Sequence, residues 1–268
     1  MHVDRKMAEF ENGIYLHTPR EKITADRATL LQGDFHALRK SHPGLKLSLA
    51  LDKRGLEAAS GWQGAGIEVT VLAYVGISLE KECKGLLKQG FQVRVALPSR
   101  LELLEDLDIG ALSALGIFFD LMAFDLVRPV SGERTQFHSP LFAWEGPSIS
   151  QTLDFLHYHG IAEGKISLGL ADFGVVFTNV AGGLSNAGYA QPCQGAQLED
   201  PEINPSVYLE NHPKARVFYT SVLGCFQSFI YNPEKGDWIS FDDAKTRDSK
   251  TAWARRRGLR GVFSWSKI

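Results

Sequence analysis

The chain has 268 residues, of which 44% are hydrophobic and 22% charged, and its net charge is −2. That length suits one large α/β barrel or two small domains, and the composition is that of an ordinary soluble globular protein. The near-neutral charge offers no general attraction to nucleic acid or anionic lipid, so neither nucleic acid nor membrane is an expected partner. No uncharged apolar run reaches the ~18 residues a membrane span needs. The most apolar stretch, residues 109–130, is interrupted by Asp120, Asp125 and Arg128.

Short β-rich runs alternate with helical segments, which argues for a parallel α/β architecture. Gly13-Ile-Tyr-Leu-His17 reads as a strand, and residues 33–41 read as a helix stopped by His42-Pro43-Gly44. Leu45-Lys-Leu-Ser-Leu-Ala-Leu51 and Gly66-Ile-Glu-Val-Thr-Val-Leu72 are strands, the second favoured by its β-branched residues. Residues 79–89 form an amphipathic helix that Gly90 caps. Gln92-Val-Arg-Val-Ala-Leu97 is a strand ended by Pro98, and Leu115-Gly-Ile-Phe-Phe-Asp-Leu-Met122 is a buried strand. Residues 150–159 are a helix followed by Gly160, and Lys165-Ile-Ser-Leu-Gly-Leu170 is a strand.

The interval from Val175 to Arg260 is too long for one helix-bearing link. It carries turn-rich sequence and β-like pieces such as Arg216-Val-Phe-Tyr-Thr220 and Ser228-Phe-Ile-Tyr231. It therefore reads as a small α+β insertion that also holds the last barrel helix, residues 249–257. Gly261-Val-Phe-Ser-Trp265 closes the pattern as the last strand. Arg255-Arg256-Arg257 sits at a helix C-terminus, where it complements the dipole.

Cys83, Cys193 and Cys225 form no C-x-x-C pair, so no zinc site is expected, and neither metal nor cofactor is implied elsewhere. Cys193 and Cys225 are either a disulfide or two ordinary thiols. His157 and His159 lie two apart on one helix and face different directions, a poor metal pair. The N-terminus, Met-His-Val-Asp-Arg-Lys, has no apolar leader core. A cytoplasmic protein, a leader outside this sequence and unconventional export all remain open.

Several segments, in order, carry a family resemblance. Phe119-Asp-Leu-Met-Ala-Phe-Asp-Leu126 is similar to the sixth-strand motif D-x-x-x-M-x-Y-D of family 18 glycoside hydrolases, the chitinases. His138-Ser-Pro-Leu141 resembles the H-N-S-P-L that follows it. Lys165-Ile-Ser-Leu-Gly-Leu-Ala-Asp-Phe-Gly-Val-Val-Phe177 resembles K-[IL]-x-L-G-[IL]-P-x-Y-G-R-x-F. Gly236-Asp-Trp-Ile-Ser-Phe-Asp-Asp243 and Gly258-Leu-Arg-Gly-Val-Phe-Ser-Trp265 resemble G-x-W-V-S-Y-D-D and G-L-x-G-x-x-x-W. Each motif is weak alone; together they span more than half of the chain.

The resemblance implies a (β/α)8 TIM-type barrel across residues 1–268, with an insertion subdomain nested at 175–260 after strand seven. It begins near the family's second strand, at Ile14-Tyr15, so the barrel is expected to be incomplete at strand one. It also implies a ligand groove at the C-terminal strand ends. Family 18 enzymes use the substrate's own acetamide as nucleophile and a glutamic acid as proton donor, outside the usual two-carboxylate scheme. The donor motif is D-G-x-D-x-D-x-E, and here that segment reads Ala65-Gly-Ile-Glu68-Val-Thr70-Val-Leu72.

Leu72 therefore stands at the acid position and Thr70 at the assisting aspartate. Phe124 replaces the strand-six tyrosine, and Phe173 and Val175 replace the Y and R of the seventh-strand motif. No catalytic residue is assigned, with Glu68 and Asp120 as fallback carboxylates. The resemblance places Trp265, Asp125, Met122, Phe124 and Phe173 in a substrate groove. Trp265 would be the sugar-stacking floor, or else simple barrel packing.

The expected function is a catalytically inactive chitinase-like protein binding chitin-like, N-acetylglucosamine-containing glycans in a degenerate groove. A scaffold or assembly subunit, contacting a protein partner or another copy of itself through the barrel, is the alternative. An active hydrolase with a re-sited carboxylate is the third reading.

Overall fold

The computed structural model describes residues 11–16, 48–51, 68–73, 78–129, 133–180, 186–193 and 202–266. The helix read at 33–41 lies outside them, as do the start of the acid motif at 65–67 and His42-Pro43-Gly44.

Seven parallel strands form the main sheet: β1 (Glu11–Leu16), β2 (Ser48–Leu51), β3 (Glu68–Leu72), β4 (Gln92–Pro98), β5 (Phe118–Met122), β6 (Ile166–Ala171) and β12 (Gly261–Ser266). Their order is β1-β12-β6-β5-β4-β3-β2. All seven coincide with strands read from the sequence. β5 starts later than Leu115, because that residue ends a helix and Gly116 turns the chain at φ +71°. The sheet has the TIM-barrel arrangement of strands, and its hydrogen-bonded ladder is open between β1 and β2 among the described residues. β1 pairs with β12, Tyr15 opposite Trp265, which is where strand one sits in a closed barrel.

Strand pleating sorts side chains onto two faces. The outer face carries Val69, Val71, Val93, Val95, Leu97, Phe119, Leu121, Ile166 and Leu168, all buried. It meets α1 (Leu79–Lys88), α2 (Leu101–Leu104), α3 (Ile109–Ala114) and α4 (Ile149–Tyr158) in the principal core. In α1, Leu79, Cys83 and Leu86 recur at the spacing that lays them on one helix face. α4 begins with a reciprocal capping box between Ser148 and Gln151.

The inner face is unlike the outer one. Glu68, Thr70, Arg94, Asp120 and Ser167 occupy it, and Gly169 opposes Phe263 across the β6–β12 ladder. A Cβ on Gly169 would lie 2.7 Å from Phe263 Cζ and 2.8 Å from the Leu121 carbonyl oxygen. Gly169→Ala is expected to destabilise by about 1–3 kcal/mol through overpacking against backbone. Urea denaturation measures it, and an unchanged midpoint would refute the account.

A second, antiparallel sheet has the order β8-β7-β11-β10-β9: β7 (Gly174–Phe177), β8 (Glu202–Ile203), β9 (Arg216–Thr220), β10 (Gln227–Asn232) and β11 (Asp237–Phe241). One face packs Val176, Ile230, Ile239 and Phe241 near α5 (Pro205–Asn211) residues Tyr208 and Leu209. The other stacks Phe218, Phe229 and Trp238 at centroid separations of 5.1 and 5.2 Å. The chain then enters α6 (Ala244–Arg257), which starts well before residue 249 because the Asp243 side chain accepts from the Thr246 amide at 2.8 Å. Gly258, at φ +85°, ends it. Of the basic run, Arg257 is tied to Asp154 at 2.6 Å.

All three cysteines are buried free thiols. Burial, with Glu82 adding to it, pushes Cys83 up to about 12.

Candidate functional site

β3 brings Glu68, Thr70 and Leu72 onto the inner face in successive tiers. Leu72, at the C-terminal end, is 3% exposed and packs with Ala96, Met122 and Trp265. The tier at the C-terminal end of β3 is therefore apolar. Leu72 opposes Ala96 across the β3–β4 ladder.

One tier deeper the chemistry is ionic. Asp120, 1% exposed, accepts from Arg94 Nε at 2.8 Å (Oδ2) and 3.0 Å (Oδ1), and from Arg94 Nη2. Thr70 Oγ1 donates to Asp120 Oδ2 at 3.3 Å, and Arg94 Nη2 donates to Ser167 Oγ at 2.7 Å. Glu68 Oε2 lies 3.8 Å from Arg94 Nη1. Both fallback carboxylates thus face one buried guanidinium. This fork geometry matches a carboxylate in two parallel bonds. Arg94 was legible only as a residue of a β-rich run. The missed signal is an arginine alternating with valines in a strand, a position that demands a buried anion.

Above Leu72 lie the aromatic residues. Phe124 meets Phe173 edge to face at 5.4 Å, and its ring centroid is 6.3 Å from that of Trp265. Phe124 is 5% and Phe173 6% exposed, whereas Trp265 is half-buried. Met122, Phe124, Phe173 and Trp265 are thereby brought together. Asp125 adopts φ +57° and pairs with Arg128 at 3.1 Å.

Behind Phe173, at 5.9 Å between ring centroids, is His138. It is fully buried; its amide donates to Ser240 Oγ at 3.1 Å, and Nδ1 lies 2.7 Å from the same oxygen. Among the described residues Nε2 has no hydrogen-bond partner. Burial drives its pKa down to about 4; nearby Asp242 and Asp125 push upward and Lys250 downward. Lys250, also fully buried, donates to both Asp242 oxygens at 2.6 and 2.7 Å and to Ser139 Oγ at 2.9 Å. The His-Ser-Pro-Leu segment is thus held by α6 and β11, which sequence spacing alone did not reveal.

Two cavities have none of Leu72, Ala96, Met122 or Trp265 in their lining, the first of them bordered by Phe173. One, of about 710 Å³, runs between Asp172, Asn204, Asp243 and Arg247. The other, about 990 Å³, lies between the loop leading into α4 and the β9 edge. Among the described residues no His/Cys/Asp/Glu group has the arrangement of a metal site.

Residues 76–267 match the family Glycosyl hydrolases family 18. The chain is 24% identical over 151 residues to a probable endochitinase of Orgyia pseudotsugata multicapsid polyhedrosis virus. It is 27% identical over 165 residues to chitinase 2 of Yersinia entomophaga. Each alignment covers 54% of this chain, and 28% and 26% of those proteins, so the chain spans little more than a quarter of their length.

Among solved structures, a class V chitinase variant from Nicotiana tobaccum in complex with NAG4 superposes with a TM-score of 0.72 at 16% identity, covering 96% of this chain and 93% of that one. A chitinase-like agglutinin from Robinia pseudoacacia gives 0.72 at 16% identity, with 99% and 90% covered. A family 18 chitinase from Cycas revoluta in complex with (GlcNAc)3 gives 0.66 at 15%, with 89% and 81% covered. At these identities the likeness establishes the fold, while the family match extends over well more than half of the chain. The motifs, the parallel sheet and this match agree, and the chain belongs to glycosyl hydrolase family 18 as a chitinase-like protein.

Proposed function

We propose that this chain is a catalytically inactive, chitinase-like protein that binds N-acetylglucosamine-containing glycans at the barrel mouth. The observation that carries the proposal is Leu72, packed against Ala96, Met122 and Trp265 at the proton-donor position. A hydrocarbon side chain cannot protonate a leaving oxygen, and general acid catalysis supplies roughly 10²–10⁴-fold. The ion pairing of Asp120 and the nearness of Glu68 to Arg94 argue against a re-sited acid.

Glycan binding draws support from the half-buried Trp265, whose indole can stack on pyranose C–H faces. The NAG4 and (GlcNAc)3 complexes of two structural neighbours, and the agglutinin likeness of a third, point the same way. In this reading residues 175–260 are an insertion subdomain beside the groove.

A second reading rests on Phe124 and Phe173. Both are buried and in mutual contact, which narrows the mouth and favours a scaffold that uses the barrel for protein contact.

Isothermal titration with N-acetylglucosamine hexamer, followed by analysis of the sugar for shortened products, separates these. The expected result is saturable heat with intact hexamer, weakened about tenfold or more by Trp265→Ala. Shortened products would return the chain to the active enzymes. Absence of Trp265-sensitive binding at millimolar sugar would move the proposal to the scaffold.

A further inference from the structure

The cavity of about 990 Å³ has none of the mouth residues Leu72, Met122, Phe124, Phe173 or Trp265 in its lining. It lies between the 140–147 loop, the turn at 186–190 and the edge strand β9. Its volume is at the upper end of the roughly 300–1,000 Å³ typical of small-molecule sites.

We propose that this groove is a second carbohydrate site, taking a neutral oligosaccharide on an aromatic platform formed by Trp144, Phe142, Tyr189 and Phe218. The inference does not depend on the reading of the barrel mouth.

Trp144 is 80% exposed, and Tyr189, Phe218 and Phe142 are each more than a third exposed. Such a cluster of large rings at a surface concavity marks a binding site more often than isolated apolar residues do. The rings are also held in place. Tyr189 stacks on Phe137 at 5.1 Å and 22°, Phe218 on Phe229 at 5.1 Å and 15°, and Phe142 meets Trp253 edge-on at 5.8 Å. Rings backed this way lose little freedom when a ligand arrives.

The polar lining selects the ligand class. Among the described residues that line it, Arg134 and Glu145 are the charged ones, one of each sign, so these side chains favour neither an anion nor a cation. Arg134 is oriented by donating from Nη1 to the Ala190 carbonyl at 2.7 Å. Gln136 and Glu145 add a planar amide and a planar carboxylate, groups that pair with adjacent hydroxyls. Flat rings for C–H faces, beside planar polar groups for equatorial hydroxyls, match a pyranose better than a peptide strand. A strand would be held through the backbone of β9, and its recognition would depend little on Trp144.

The test titrates the intact chain with N-acetylglucosamine hexamer and separately with cellohexaose, reading heat and tryptophan fluorescence. Wild type, Trp144→Ala, Tyr189→Ala and Trp265→Ala are compared. The expected result is a class of sites weakened about tenfold by Trp144→Ala and by Tyr189→Ala and unaffected by Trp265→Ala. The exposure of Trp144 leaves its variant with the wild-type thermal midpoint. If the Trp144 and Tyr189 variants titrate like wild type with both sugars, or if neither sugar binds wild type, the second site is overturned. A Trp144-dependent dimer in sedimentation, without such a sugar effect, would assign the groove to another copy of the chain and likewise overturn it. Loss of the mouth signal alone, with the Trp144 effect intact, would sink only the mouth reading.

Discussion

Arg94→Met is expected to destabilise the protein by about 3–5 kcal/mol, because it removes the guanidinium that neutralises Asp120 in the barrel interior. The reason is asymmetric. An ion taken out of water needs its partner, and Asp120 at 1% exposure has little solvent to fall back on. Arg94 also donates to Ser167 and lies near Glu68, so its loss disturbs three strands at once. Removing both charges is expected to be far milder. A well-packed hydrophobic replacement of a buried pair is often neutral or stabilising. The double variant Arg94→Met/Asp120→Leu should therefore recover most of the loss. Urea denaturation at neutral pH measures all of these. A single variant within about 1 kcal/mol of wild type would show that the pair contributes little, contrary to this account.

The second large effect is acid sensitivity centred on His138. Its folded pKa is about 4, against an ordinary value of 6.5, so the folded site keeps the imidazole neutral. Above pH 6.5 neither folded nor unfolded chain is protonated there, and the contribution is fully present. As pH falls from 6.5 towards 4, the unfolded chain binds a proton that the folded chain does not. Stability is then lost at about one proton's slope, to a limit of about 3 kcal/mol. The groups that set the shift are burial first, then Asp242, Lys250 and Asp125. Because carboxylates titrate in the same range, the informative quantity is the difference between wild type and His138→Gln. That difference should change across pH 6.5 to 4 and be flat above it. Parallel stability profiles would rule out His138 as the source.

Much of the barrel was legible from residue order. The seven parallel strands were marked by short apolar or alternating runs, β-branched in β3 and β4 and ended by Pro98 in β4, and α1 and α4 by their apolar spacing and following glycines. These signals are local, and backbone geometry obeys them closely. Boundaries were read less well where a cap decided them. Asp243 starts α6 early through a single side-chain bond, and α3 takes residues 109–114 out of an apolar run that has no strong period of its own.

By itself the sequence determined the family and the strand order along the chain. It could do so because motif spacing and pleat period are properties of one segment at a time. Only the tertiary structure decided that Leu72 would close against Met122 and Trp265, that Arg94 would take Asp120, and that Lys250 would bury its charge on Asp242. Those pairings join residues from separate strands and helices, and Coulomb attraction and packing act on distance in space, which no one-dimensional pattern contains.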